Sequence, residues 1–223
     1  MESFMCDKGI WIKDIHPNLL FQGFFHMKHD HSQILLADAS GSIHADLEDH
    51  RYLQGLSGNI IWVSGRATTS IDGDSINILS LLPTERWTGN PFALTDPKLP
   101  GFKHSSALYH HVQSIQDQDL RRLVDILFAD TGLMRGFMSA PASLKHHHAF
   151  PGGLAKHTLE TLDMASQICA TLSKEEHALV ISACLLHDAG KAFEYSCNQK
   201  YLSQRGYLLG HEITLLEWLS ISN

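Results

Sequence analysis

The residues best suited to chemistry lie in the run Leu185-Leu186-His187-Asp188-Ala189-Gly190-Lys191. An imidazole and a carboxylate stand side by side where an apolar helical pattern ends. Neighbouring side chains on a helix diverge by roughly 100°, so both reach one metal only near a helix end or across a pair of ions. A nitrogen and oxygen donor set suits Mn, Mg, Co, Fe, Ni or Zn, not a thiolate-loving metal. Upstream, His157 is expected to open the preceding helix, after Pro151-Gly152-Gly153, and downstream His211 follows Gly210. Lys191 lies one turn past Asp188, where an ammonium can neutralise a phosphate. A lone His-Asp dipeptide carries no meaning; the flanking histidines and the Gly-Lys make this one a metal-site candidate. The bland alternatives are a solvated helix-start histidine for His211 and a helix-dipole partner for Lys191.

His157, His187-Asp188 and His211 together resemble the HD superfamily of metal-dependent phosphohydrolases. The run from Pro141 to Thr158, with His146-His147-His148 and Pro151-Gly152-Gly153-Leu154-Ala155-Lys156-His157, is similar to the HD domain of YhaM-type 3′→5′ exoribonucleases. In that family an OB-fold nucleic-acid-binding domain comes first. The segment Ile34 to Ala45, a hydrophobic strand, Asp38-Ala39-Ser40-Gly41 and a second strand, resembles its OB signature. The resemblance spans about residues 20–219. It implies that His157, His187 and Asp188 ligate a divalent metal, Mn²⁺ foremost, with His211 as a further ligand. It implies catalytic roles for Asp188 and Lys191 and sets His147 and His148 on the substrate side of the site.

One departure matters. HD enzymes take a last metal ligand from an Asp on a later helix, and no Asp follows Asp188; Glu194, Glu212 and Glu217 are the remaining carboxylates. The apolar run Ile213, Leu215, Leu216, Trp218, Leu219 also wants a partner. The expectation is an HD domain incomplete at its C-terminus, weakly active or inactive, and prone to self-association through that helix.

The elements that must position these residues follow from periodicity. Five short strands are expected within residues 19–82, with hairpin signals at Asp38-Ala39-Ser40-Gly41 and Asp72-Gly73, which suits a small closed barrel. Phe24, Phe25 and Trp62 read as barrel core. Residues 83–103, with four prolines and two glycines, read as a linker. From His104 the spacing turns helical: Leu120, Leu123, Val124 and Leu127 share a face, Thr158–Leu172 is amphipathic, Lys174–Leu186 is mostly apolar, and Leu208–Leu219 begins another helix. The fold expected is thus multidomain α+β: a five-stranded OB-like barrel (1–82), a linker (83–103) and an all-α HD domain (104–223).

Composition narrows the function. The chain has 223 residues and a formal net charge of −7. Residues 1–92 hold six Lys/Arg against eleven Asp/Glu, so gripping duplex by bulk electrostatics is disfavoured. Single-stranded RNA or DNA is the expected partner, held weakly and with a shallow salt slope, with Lys28 and Arg66 as phosphate contacts. No apolar run spans a bilayer and no signal peptide is legible, so a cytoplasmic protein is expected. Cys6, Cys169, Cys184 and Cys197 form no CxxC pair, which argues against zinc–thiolate chemistry. Most early members of the 16 histidines are expected in solvated loops. The competing readings are an inactive nucleic-acid-binding or assembly module with a degenerate HD site, and an HD nucleotide phosphohydrolase.

Overall fold

A computed structural model describes residues 8–29, 33–48, 53, 60–70, 73–83, 87–196 and 201–221; Cys6, Asp72 and Cys197 lie outside them. The chain divides into two compact units, Met1–Pro97 and Lys98–Asn223.

The first unit is a closed barrel of five strands, β1 (Leu20–His29), β2 (Ile34–Asp38), β3 (Gly41–Asp46), β4 (Ile60–Ser70) and β5 (Gly73–Pro83). Its order is β1-β2-β3-β5-β4. All pairs are antiparallel except β3 with β5, an OB-like arrangement. Alternation sends Phe21, Phe25, Met27, Leu36, Ile61, Val63 and Ile76 inward to one core. Phe25 is therefore core, as expected. Phe24 faces outward and is covered instead by Trp62 and Trp87, with ring centroids 4.7 and 4.9 Å away. His26, within the run Leu20–Met27 expected as a strand, is a buried residue of β1.

The Asp-x-x-Gly turn has a structural purpose. Asp38 is fully buried and pairs with the buried Lys8 at 2.7 Å. Its Oδ2 also accepts from Ile12 N, and its Oδ1 from the Ser40 amide and hydroxyl. The Lys8 ammonium lies 4.3 Å from the Phe25 ring centroid and donates to Ile10 O. The pair ties the segment before β1 to the barrel.

The expected linker is corrected by this unit. Pro91–Leu94 forms a 3-10 turn whose four residues are all buried, and Ala93 O accepts from Ala39 N. Phe92, Ala93 and Leu94 are apolar enough to dock on the barrel, so the first unit runs on to Pro97.

The second unit is helical: α1 (Ser105–Ser114), α2 (Gln118–Ala129), α3 (Thr131–Ser139), α4 (Gly153–Ile168), α5 (Lys174–Leu186) and α6 (Gln204–Ile221). Asp117 and Asp130 cap α2 and α3, and Ser173 with Glu176 forms a capping box on α5. Val124, Leu127, Phe128, Phe137, Leu154, Leu162, Ile181 and Leu185 are buried. Helix α4 begins five residues before the expected start. Gly152 takes a left-handed conformation (φ 79°), which a side chain would strain. Its amide donates to Ser139 O and that of Leu154 to Ala140 O, so the glycines start the helix rather than delay it. His157 consequently sits in the second turn. Helix α6 is broken at Gly210 (φ 72°). Part of its apolar face is covered: Thr214 is buried and Trp218 stacks on Phe193 at 5.2 Å, while Ile213 and Leu216 stay exposed.

Candidate metal centre

Three histidines converge on one carboxylate. Helix α5 ends at Leu186, and His187 is its C-cap. The His187 ring is fixed by Nδ1, 2.7 Å from Cys184 O. A carbonyl only accepts, so Nδ1 carries the hydrogen and Nε2 is left as a lone-pair donor. Nε2 of His187 and Nε2 of His157 each lie 3.4 Å from Asp188 Oδ2, and Nε2 of His211 lies 3.4 Å from Asp188 Oδ1. Gly190 holds His211 there, because any Cβ at position 190 would strike the His211 carbonyl. On its other side His211 Nδ1 is 3.4 Å from Glu194 Oε1.

These separations are long for hydrogen bonds, which cluster near 2.9–3.0 Å for N–H···O. They suit ligands sharing a cation, since metal–ligand bonds of about 2.1 Å set neighbouring donors roughly 3.0–3.4 Å apart. Ligand atoms of His157, His187 and Asp188 all lie within 4.8 Å of one another. The residues present therefore fit a divalent ion held by imidazoles and a carboxylate. The Lys191 ammonium lies 2.9 Å from Asp188 Oδ2 and donates to Ala142 O at 3.0 Å.

The local electrostatics favour a charged carboxylate. Burial alone would raise the Asp188 pKa, but the neighbouring His187 and the Lys191 ammonium outweigh it and hold the carboxyl well below its usual range. Burial lowers His157, against the pull of Asp188. His187 is raised, first by its interaction with Asp188, against burial and with help from Cys184 O. The Tyr195 phenol, pushed up to about 12 by burial and by Glu194 and Asp188, stays protonated and donates to Ala142 O at 3.3 Å.

A pH dependence follows. A raised His187 keeps its proton beyond the ordinary imidazole value, and a metal must displace it. In the metal-free protein His187 adds stability below its unfolded pKa and loses it as pH rises through the folded one. Apparent Mn²⁺ affinity is therefore expected to climb roughly tenfold per pH unit from pH ~6, then level once His187 is neutral. Titrations at several pH values measure this; a flat profile contradicts it.

The other expected site residues divide into two groups. The loop after Pro141 brings its histidines to the centre: the His147 and His148 rings lie 5.4 and 5.9 Å from that of His157. His148, at φ 57°, pairs with Glu160 at 2.7 Å. Lys28 and Arg66 belong to the barrel unit. Lys28 is ion-paired to Asp96. Arg66 is exposed and pairs with Leu20, eight residues along β1 from Lys28, or roughly 26 Å at ~3.3 Å per residue. The two expected phosphate contacts thus stand near opposite ends of β1, with Lys28 engaged by Asp96.

Glu194, Tyr195 and the Ala142 carbonyl gained no role from the sequence. Glu194 was visible only as one of three late carboxylates; its place beside His211 needs the turn Ala189–Phe193 and the Gly210 break. Outer partners of ligating histidines fix tautomer and orientation. Glu194→Ala is therefore expected to weaken Mn²⁺ binding roughly 10–100-fold, read by metal titration; unchanged affinity would remove Glu194 from the site.

The architecture is a closed five-stranded barrel followed by a helical unit with a histidine–aspartate centre. Residues 154–219 match the HD domain family. It is similar to proteins named 3′-5′ exoribonuclease YhaM. That of Bacillus licheniformis is 26% identical over 80% of this chain and 58% of its own length. That of Bacillus subtilis is 26% identical over 84% of this chain and 61% of its own. The chain thus spans about three-fifths of the length of these relatives. The second OB-fold domain of replication protein A from Methanococcus maripaludis overlaps 34% of this chain and 95% of its own, with 19% identity and a TM-score of 0.31. No helix among the described residues is long and apolar enough to cross a membrane.

Proposed function

We propose that this chain is a metal-dependent phosphodiesterase acting on single-stranded nucleic acid, as a 3′→5′ exoribonuclease. The observation that carries the reading is the convergence of three imidazole Nε2 atoms on Asp188. The named activity of the relatives supports the substrate and polarity.

In this reading His157, His187 and Asp188 hold the divalent ion, with His211 as a further ligand oriented by Glu194. A bound ion of this kind lowers the pKa of a coordinated water and neutralises phosphoryl oxygens. Asp188 contributes the one ligand charge and orients the centre. Lys191, held on Ala142 O, sets a fixed cation beside Asp188 where phosphate charge develops. His147 flanks His157 on the face a substrate approaches. The barrel supplies the strand-binding surface expected of an OB-like domain.

The test is turnover of a labelled single-stranded RNA with Mn²⁺, beside the same RNA as a duplex and with chelator added. Hydrolysis confined to the single strand and lost with chelator is the expected result. RNA binding without turnover would instead favour a binding module; nucleotide hydrolysis with RNA left intact would favour the nucleotide-hydrolase branch.

A further inference from the structure

We infer that the cleft between the loop at Leu144 and the segment Tyr201–Tyr207 is a nucleobase-stacking subsite for the strand whose phosphate lies at the metal centre; the inference rests on the nuclease reading above. The cleft has a volume of about 610 Å³ and is lined by Leu144, Lys145, Tyr201, Leu202, Gln204 and Tyr207, among others. That is the size of a small-ligand site.

Its walls are extensions of the centre itself. Ala142 O, three residues before Lys145, accepts from both Lys191 and Tyr195. Lys145 is two residues from His147, so their Cα atoms are at most ~7 Å apart. The opposite wall is bridged to the site by the Tyr195–Leu202 pairing and by Ser203, whose amide donates to Glu194 O. The walls of the cleft are thus tied to the segments that frame the centre.

The chemistry of the walls selects a base. Tyr201 is 68% exposed and Tyr207 is 80% exposed. With Phe150, whose ring lies 5.9 Å from that of His148, they are the exposed aromatic side chains among the described residues. All three border the loop and segment that frame the centre. In the barrel, by contrast, Phe24 and Phe25 are buried. Tyr201 and Tyr207 line the same cleft, and large rings left in water offer faces for stacking, which accepts any base. Leu144 and Leu202 supply apolar contact, the Gln204 amide can pair with a base edge, and the exposed Lys145 ammonium suits the adjoining phosphate. An apolar peptide would leave the amide and ammonium unused.

The experiment uses the full chain and a short fluorescent oligoadenylate, with an abasic oligomer of the same length as control. Tyr201→Ser with Tyr207→Ser is expected to weaken RNA binding by roughly 5–150-fold per ring that stacks, to leave the weak abasic affinity in place, and to keep the wild-type Mn²⁺ content. Tyr201→Phe with Tyr207→Phe is expected to restore RNA affinity, because stacking needs the ring and not the hydroxyl. Equal RNA affinity in wild type and the serine variant overturns the inference, as does equal wild-type affinity for RNA and abasic oligomer. So does a serine variant whose main change is loss of concentration-dependent self-association. The nuclease reading fails separately, if wild type binds RNA through these rings and cleaves none with Mn²⁺.

Discussion

Asp188→Ala is expected to abolish both metal binding and hydrolysis while the helical unit stays folded. Asp188 faces three Nε2 atoms and the Lys191 ammonium, and without it that cluster of donors has no anion at its centre. Metal assistance is worth several kcal/mol of transition-state stabilisation, so turnover should fall by about three orders of magnitude. Bound Mn²⁺ by elemental analysis should fall from stoichiometric to near background. Far-ultraviolet circular dichroism should hold, because α5 is capped by Ser173 and Glu176 and packs through Ile181 and Leu185. Equal metal content in wild type and variant would remove Asp188 from the centre.

Asp38→Ala is expected to cost the barrel about 3–5 kcal/mol, the usual penalty for breaking a buried ion pair by removing one partner. Lys8 is 5% exposed and Asp38 wholly buried, so the variant strands an ammonium inside and leaves Ile12 N and Ser40 N short of an acceptor. Lys8→Met with Asp38→Ala should recover part of the loss, since a well-packed apolar pair replaces a buried ion pair at little cost. Urea unfolding of the full chain, followed by barrel tryptophan fluorescence, measures both. A single variant as stable as wild type would show that the pair is ornamental. Because the Asp188 and Asp38 variants act on different units, each should leave the other's readout in place.

The strands were legible because alternation in Leu20–Met27 and Ser42–Leu47 is a local signal, and Lys174–Leu186 was legible because its apolar run ends at His187. Other features were misread for local reasons. Gly152-Gly153 looks like a break, yet a left-handed glycine with amides pinned to Ser139 O and Ala140 O starts α4. Four prolines in 83–103 suggested a linker, while Phe92-Ala93-Leu94 carried the opposite signal in three apolar residues that dock on the barrel. The members of the histidine–aspartate cluster were singled out by type, spacing and resemblance. Their supports were not, because Lys191 and Tyr195 reach Ala142 O across 49 and 53 residues, contacts that no local pattern encodes. The absence of a later Asp suggested a degenerate centre; the fold sets Glu194 beside His211, a carboxylate that serves the histidine instead.

In the proposed function the His157–His187–Asp188–His211 cluster holds a metal and cleaves single-stranded RNA. The most direct measurement is the product pattern from a 5′-labelled single-stranded RNA incubated with the Mn²⁺-loaded chain and with its Asp188→Ala variant. A ladder shortening progressively from the 3′ end is expected with wild type and none with the variant. RNA left intact by the Mn²⁺-loaded wild type, or a ladder that persists in Asp188→Ala, would contradict it.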